Sequence, residues 1–160
     1  MFEIGYKLFK CDITANNARW FHRVFWFYFF LRGGQYIGFA PIKLLFKLCK
    51  KIVLAGACCE LPASAIVGGG IYIPHMNGIV ISPYARIEDN VTILQQVTLG
   101  VDFEKDPFSA PQVGKGVFLG AGSKVIGDVK LGDGCKVGAN PVVTRDVPAG
   151  RTVVGANILL

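Results

Sequence analysis

The chain has 160 residues, 52% of them hydrophobic, with five cysteines and a formal net charge of +6 at pH 7. This length suits one domain, alone or with an appendage. The cysteines form no CxxC pair and no zinc-ligand spacing, and no nucleic-acid-binding motif accompanies the basic charge, so we predict neither a metal site nor a nucleic-acid partner. The odd cysteine count and the lack of a secretory cleavage signal predict a reducing, cytoplasmic location.

The N-terminal segment, residues 1–59, is rich in aromatic and basic side chains. Residues 1–16 have no clear pattern. A nearly continuous aromatic and apolar run predicts a helix over 18–31, and the Gly33–Gly34 pair is expected to end it. The apolar part of this run is too short to span a bilayer. A second helix is predicted over 41–54, because leucines and lysines recur there at helical spacing.

Two interpretations of this segment stay open. In the first, the helices cap the open end of the domain that follows and pack against sister subunits, since solenoid ends need caps. In the second, the segment lies at a membrane interface with its lysines near anionic lipid headgroups. Both can hold at once. The lysines concerned lie roughly on one side of the second helix: Lys43, Lys47, Lys50 and Lys51.

The remainder of the chain, 60–160, is dominated by a six-residue repeat. Branched aliphatic residues occupy every sixth position from Val113 to Val143. The pattern also occurs upstream, with one two-residue slip, at Val67, Ile73, Ile79, Ile87, Ile93 and Leu99. A period of six fits neither the helical period nor a hairpin sheet, and it predicts a coil of very short parallel strands whose aliphatic residues stack inside. A glycine-rich β-sandwich is the alternative, but its longer strands would not keep this phase.

The repeat is interrupted once, at residues 100–112. This stretch is charged, contains prolines and is bounded on both sides by regular repeats. Because long irregular loops in compact domains are usually functional or disordered, we interpret it as an active-site loop that extends from the coil.

His75 is the principal catalytic candidate. It falls at a predicted corner of the coil, whereas the other histidine, His22, lies in the aromatic run. Glu60 precedes His75 by somewhat less than one coil of three hexads, which could bring its carboxylate near the imidazole. A carboxylate partner fixes the tautomer of a histidine that acts as a general base. A structural role for a lone histidine is the alternative.

Residues 60–155 resemble the left-handed parallel β-helix acyltransferases of the hexapeptide-repeat family. Within that family, the segments HMNGIVI and ARIEDNVTILQQVTLG look like the serine acetyltransferase branch. The left-handed sense of the coil comes only from this resemblance. The resemblance also implies direct acetyl transfer from acetyl-CoA and a homotrimer with active sites between subunits. His75 matches the general base of that branch, and Glu60 stands where the branch has an aspartate.

For acetyl-CoA, the resemblance implies a groove along the outside of the coils. Small residues at four positions would permit close approach of the pantetheine arm, and two basic residues would meet the phosphates. The alternative for the small residues is that β-helix corners need them in any case. The predicted CoA contacts are Gly120, Ala121, Lys136, Gly138, Ala139 and Arg145.

Departures from the serine acetyltransferase pattern affect the predicted acceptor. Pro74 replaces an aspartate, and Ser109 and Ala110 replace an Arg-His pair, so charged contacts for serine are missing. The Glu-Leu-Pro at residue 60 instead resembles O-acetyltransferases of colanic-acid and capsular polysaccharide clusters. We therefore predict acetyl transfer to a sugar hydroxyl of a surface polysaccharide or its precursor. Predicted acceptor contacts are Pro74, Asn77, Asp102 and Ser109.

Two alternatives to this prediction remain. The first is a divergent serine O-acetyltransferase of cysteine biosynthesis, which would use the same base and the same acetyl donor. The second is a non-catalytic β-helix that serves as a scaffold.

Overall fold

The structure is a computed structural model that describes residues 2–17, 23–62 and 64–155. Three helices, α1 (Phe2–Ala15), α2 (Arg23–Tyr36) and α3 (Ala40–Ala55), precede a series of two- or three-residue strands. The strands are β1 (Ile66–Val67), β2 (Val80–Ile81), β3 (Arg86–Ile87), β4 (Thr92–Ile93), β5 (Thr98–Gly100), β6 (Gln112–Val113), β7 (Phe118–Leu119), β8 (Lys124–Ile126), β9 (Lys130–Leu131), β10 (Lys136–Val137), β11 (Val142–Val143) and β12 (Thr152–Val153).

The strands form three parallel sheets, which are the three faces of a coil. Face 1 contains β1, β3, β6 and β9, face 2 contains β4, β7, β10 and β12, and face 3 contains β2, β5, β8 and β11, each in that spatial order. The chain visits the faces in rotation, so each strand pairs with its equivalent in the next coil, three strands later except for β1–β3 and β10–β12, where an isolated bridge replaces a strand. The predicted coil of short parallel strands with a helical N-terminal segment is confirmed.

Strand register gives the length of each coil. Gln112 pairs with Lys130, so a regular coil has 18 residues. Ile66 pairs with Arg86, which gives the first coil 20 residues and corresponds to the two-residue slip in the repeat. Arg86 pairs with Gln112, and this 26-residue coil contains the predicted loop.

The aliphatic residue of each hexad points inward, and stacked equivalents fill the interior. On face 1 these are Val67, Ile87, Val113 and Leu131, which are all buried. The outward neighbour in each of these strands is exposed: Ile66, Arg86, Gln112 and Lys130. Because neighbouring parallel strands are about 4.8 Å apart, side chains of one column are in contact from coil to coil.

The helices differ from the prediction in two ways. Residues without a clear pattern form α1, and α2 continues through Gly33–Gly34 to Tyr36 instead of ending there. The reason for the second difference is packing, because a Cβ at Gly33 would collide with the ring of Phe46 in α3. The predicted helix over 41–54 is α3. The predicted start of the aromatic helix, and His22 with it, lie outside the described residues.

The helices cover the open edge of the first coil with polar side chains. Asn16 donates from Nδ2 to the carbonyl of Ile71 at 2.7 Å and accepts at Oδ1 from the N–H of Ile73 at 2.7 Å. The hydroxyl of Tyr28 also donates to Ile71 O, at 2.9 Å. These side-chain hydrogen bonds take the place of those that a further coil would make with this edge. The contacts of α1 and α2 therefore agree with the capping interpretation.

A buried ion pair completes this cap. The carboxylate of Asp12 and the guanidinium of Arg32 are 2.8 Å apart and almost fully buried. Arg32 also donates to the carbonyls of Val67 and Gly68, and Asp12 accepts from the N–H of Ile71. Because each charge has several partners, the pair satisfies backbone groups of the first coil as well as neutralising itself.

Candidate active site

His75 lies at the edge where face 2 turns into face 3. On one side of it, Tyr72 makes an isolated bridge to Thr92 of face 2, and on the other side the chain enters β2 of face 3. We call this the 2–3 edge and define it by the corner residues of four successive coils: 74–79, 94–97, 120–123 and 138–141. The side chain of His75 is exposed there.

Backbone hydrogen bonds link the corners of the 2–3 edge. The N–H of Gln96 donates to Asn77 O at 2.9 Å, that of Gly122 to Gln95 O at 2.9 Å, and that of Asn140 to Ala121 O at 2.8 Å. Since coils rise by about 4.8 Å, the corner containing Ala121 lies roughly 10 Å along the coil axis from that of His75. The next corner lies roughly 15 Å away. The structure therefore places His75 and the predicted CoA-contacting corners in one line.

Glu60 lies at the end of face 3 nearest the helices. It makes a parallel bridge to Val80, with its N–H donating to Ile79 O at 2.7 Å and its carbonyl accepting from Ile81 at 2.8 Å. Within the described residues, its carboxylate makes neither a hydrogen bond nor an ion pair with His75. The predicted contact is thus absent from the single chain. Both side chains are exposed, so water solvates each of them and little free energy is gained by holding them together.

Cys59 joins the backbone just before Glu60 to the backbone that follows His75. Its buried thiol accepts from the N–H of Ile79 at 3.4 Å and donates to Ala57 O at 3.3 Å. Burial raises the pKa of this thiol. It is therefore a packing residue of the corner, while Cys58 is exposed.

The glycines predicted to contact CoA have a structural explanation. Gly120 is buried, and a Cβ there would collide with the carbonyl of Gly138 in the next coil. At Gly138 the added Cβ would be 3.3 Å from Val153 O, which is tight but less severe. Close stacking of coils thus accounts for glycine at residue 120 without reference to a ligand.

The other predicted CoA contacts are accessible from outside. Ala121 is half-buried and Ala139 exposed at their corners, Lys136 points outward from β10 of face 2, and Arg145 is exposed just after β11. These four residues are the ones whose side chains can meet a ligand on the 2–3 edge and the adjoining faces. Their roles stay predictions.

The predicted acceptor residues are divided between two places. Pro74, half-buried, and Asn77, exposed, flank His75. Asp102 and Ser109 belong to the loop, which leaves the coil after β5 of face 3 and returns at β6 of face 1. In the single chain the loop, which we interpreted as an active-site loop, is therefore anchored at the edge between faces 3 and 1 and not at the 2–3 edge of His75. The two edges are separate because the chain passes from face 2 to face 3 at one edge and from face 3 to face 1 at another.

The loop residues already have partners within the loop. Asp102 lies 3.3 Å from the ammonium of Lys105 and accepts from the N–H of Glu104. The hydroxyl of Ser109 donates to Asp106 at 2.7 Å. That bond and the N–H of Phe108 lower the pKa of Asp106. Side-chain turns of this type give the loop a defined conformation.

A groove beneath the loop has a volume of about 330 Å³ and is lined in part by Tyr84, Arg86, Phe108 and Ser109. The rings of Tyr84 and Phe108 are in edge-to-face contact there, with centroids 5.7 Å apart. None of the residues that line this groove belongs to the 2–3 edge, so it is separate from the corner of His75.

Gln95 is a candidate site residue that the sequence analysis missed. It lies on the 2–3 edge between the corners of His75 and Ala121, and its Oε1 is buried with no hydrogen-bond partner among the described residues. Buried polar atoms nearly always have partners, so Gln95 is a candidate for a contact that the described residues do not supply. The sequence signal was the Gln95–Gln96 pair, at a corner where later coils have glycine, alanine or asparagine.

No group of three or more His, Cys, Asp or Glu side chains in the described part of the chain is arranged to hold a metal ion. The chemistry available at the 2–3 edge of the single chain is that of one exposed imidazole, His75, and of the exposed amides of Asn77, Gln96 and Asn140.

Comparison with known proteins agrees with the repeat. Residues 110–145 match the family described as bacterial transferase hexapeptide (six repeats). The match lies within the repeat region of this chain. The chain is also 41% identical over 96 residues to a serine acetyltransferase of Salmonella typhimurium, covering 60% of this chain and 35% of that protein. It is 42% identical over 97 residues to a serine acetyltransferase of Helicobacter pylori, covering 61% and 57%. The chain thus spans about a third to just over half of these relatives.

The fold is similar to that of serine acetyltransferases over nearly the whole chain. A solved structure described as serine acetyltransferase in complex with CoA has a TM-score of 0.80 and 29% identity, and the match covers 97% of this chain and 68% of that one. The matched region therefore includes helices as well as coils.

These matches contradict the predicted sugar acceptor. The relatives are named serine acetyltransferases, which agrees with the alternative given by the sequence and not with a polysaccharide O-acetyltransferase. The Glu-Leu-Pro motif and the missing charges were too few residues to outweigh similarity over some 60% of the chain.

Proposed function

We propose that this chain is an acetyl-CoA-dependent O-acetyltransferase whose acceptor is serine and whose general base is His75. The observation that carries the proposal is the alignment of the exposed imidazole with the accessible corners of Ala121 and Ala139 on one edge. Similarity to the structure described as a complex with CoA supports an acetyl-CoA donor. The left-handed sense of the coil belongs to the same proposal.

In the proposed reaction, the unprotonated imidazole nitrogen of His75 takes the proton from the serine hydroxyl. The hydroxyl oxygen attacks the thioester carbonyl of acetyl-CoA, and the carbon–sulfur bond breaks as the O-acetyl bond is completed. The imidazolium then protonates the departing CoA thiolate, which returns His75 to its neutral form. General-base catalysis of this kind contributes about 10²- to 10⁴-fold to the rate.

The arrangement of the single chain favours a site completed by another subunit. His75 is exposed at an edge and not enclosed in a cavity, and the predicted active-site loop starts from a different edge. In a trimer, the loop of one subunit would approach the 2–3 edge of its neighbour, and a neighbouring wall would also bring Glu60 and His75 out of water. Burial of both groups would then favour the hydrogen bond that the single chain lacks.

The first experiment measures thiol release from acetyl-CoA with L-serine as acceptor. We expect His75→Ala to lower kcat by about 10²- to 10⁴-fold while the circular dichroism spectrum is unchanged. Gln112→Ala, an exposed substitution on face 1, is the matched control and should keep full activity. Equal turnover by His75→Ala would refute the assigned base, and acetyl-CoA binding without turnover of serine would refute the acceptor.

A second experiment tests the acceptor pocket. Pro74 has no charge and no N–H donor, so we expect a high KM for serine, since the ammonium lacks a carboxylate partner. Pro74→Asp should lower KM for serine, whereas Pro74→Ala, which adds no charge, should leave it unchanged. An equal effect of both variants would mean that residue 74 acts through the backbone and does not contact the acceptor's charge.

A further inference from the structure

The outer face of α3 is an apolar stripe with lysines along one side. Leu44, Leu45, Leu48 and Ile52 are between 53 and 73% exposed. Residues three and four apart share one face of a helix, so these four aliphatic side chains form a continuous stripe. Lys47 and Lys51 are exposed beside it. We call these six residues the α3 outer face.

Contacts on the opposite side of the helix fix this face outward. The ring of Phe46 packs against those of Phe29 and Phe30, with centroids 5.3 and 5.6 Å away. The ammonium of Lys50 is buried and donates to Leu61 O at 2.6 Å. Because α3 is held by its other side, the outer face cannot turn inward to cover its leucines.

The charge around the face limits what can cover it. The two lysines of the face itself, Lys47 and Lys51, are exposed, and the sequence has no acidic residue between Asp12 and Glu60. A second copy of the chain docking through the same face about a twofold axis would bring lysines against lysines. Like charges without acidic partners disfavour that contact, especially once they lose water.

We propose that the α3 outer face binds peripherally to a membrane surface that contains anionic lipid. Such a surface provides a partner for both parts of the face. The aliphatic side chains would be buried among the acyl chains, and the headgroup phosphates would attract the lysines. No helix among the described residues is long and apolar enough to cross a bilayer. The helix would therefore lie along the surface, with the start of the coil, at Glu60 and Leu61, attached directly behind it.

The experiment uses the full chain and sedimentation with vesicles of phosphatidylcholine, with and without phosphatidylglycerol. We expect binding to the anionic vesicles that weakens with added salt. The double variant Leu48→Ser/Ile52→Ser and the double variant Lys47→Gln/Lys51→Gln should each weaken that binding by at least about tenfold. Unchanged acetyl transfer and an unchanged thermal midpoint would show that these variants remain folded.

Matched controls lie on the coil. Val154→Ser removes an exposed aliphatic residue, and Lys115→Gln/Lys130→Gln removes two exposed lysines, so both should bind like the unaltered protein. Absence of vesicle binding, or equal weakening by the control variants, overturns the proposal. So does a Leu48→Ser/Ile52→Ser variant that sediments as a smaller oligomer in analytical ultracentrifugation, since the face would then be an interface between copies.

Discussion

The sides of the coil and its helical end are stabilised in different ways. Along the sides, each strand pairs with its equivalent in the next coil, and the interior column of each face is almost entirely aliphatic. At the helical end, the first coil meets charged and polar groups that are buried or, for Asn16, half-buried: Asp12, Asn16, Tyr28, Arg32 and Lys50.

The difference follows from repetition. A coil within the stack has its backbone groups satisfied by identical neighbours, so the sequence needs only an inward aliphatic residue and a small corner residue. The first coil lacks a neighbour on one side, and unpaired buried backbone groups are costly. Side chains that belong to no repeat must satisfy them, one donor or acceptor at a time. The end is therefore where single substitutions should be most damaging.

The largest effect is expected at the buried ion pair. Arg32→Met should lower the free energy of unfolding by about 3–5 kcal/mol, because it leaves the Asp12 carboxylate buried without its charge partner and two carbonyls of the first coil without a donor. Burial already raises the pKa of Asp12, even with Arg32 beside it. Urea denaturation monitored by circular dichroism provides the measurement.

The control for that experiment is the surface pair between Lys105 and Asp102. Lys105→Met should leave the urea midpoint unchanged, because the Lys105 side chain is 79% exposed and its ion pair is solvated. If Arg32→Met also left the urea midpoint unchanged, the helical end would be no more sensitive to substitution than the surface.

An intermediate effect is expected within the stack, where spacing between coils is tightest. Gly120→Ala should destabilise the protein by about 1–3 kcal/mol, because the added methyl group forces the coils apart at the Gly138 carbonyl. Gly138→Ala is the paired control with a looser contact, 3.3 Å from Val153 O, and should cost clearly less. Thermal unfolding of the two variants gives the comparison, and equal costs would argue against stacking as the reason for glycine at residue 120.

The smallest effect concerns pH and the link between α3 and the coil. Burial, with a smaller contribution from Lys47, lowers the pKa of Lys50 to about 8. The folded state therefore releases this proton before the unfolded state does, and unfolding free energy should rise with pH between about 8 and 10.5.

The Lys50→Met variant isolates the contribution of Lys50 to this pH dependence, since the variant and the unaltered chain have all their other titrating groups in common. The difference in unfolding free energy between the two proteins should shift in favour of the unaltered chain as pH rises through this interval. A difference that stays constant with pH would mean that Lys50 is not held in a dehydrated environment.

Several local features were predictable from the residues themselves. The hexads indicated the inward positions, the slip between Ile79 and Ile87 appeared as a longer first coil, and the helix predicted over 41–54 is α3. Others depended on partners far along the chain. Gly33 predicted a break in the helix, whereas in the structure the ring of Phe46 fills the space that any side chain at residue 33 would need. Asp12 and Asn16 lay in a stretch without a pattern, because their partners are backbone atoms of residues 71 and 73.

The sequence by itself determined the repeating coil, since every hexad places an aliphatic residue inward. Adjacent coils then satisfy one another's backbone hydrogen bonds. Tertiary structure decided which corners align, which loop leaves from which edge, and how the first coil is closed. It placed His75 in line with the corners of Ala121 and Ala139, kept its imidazole apart from the carboxylate of Glu60, and left the leucines of α3 exposed. These outcomes depend on contacts between residues that share no local pattern, and such contacts exist only once the chain has folded.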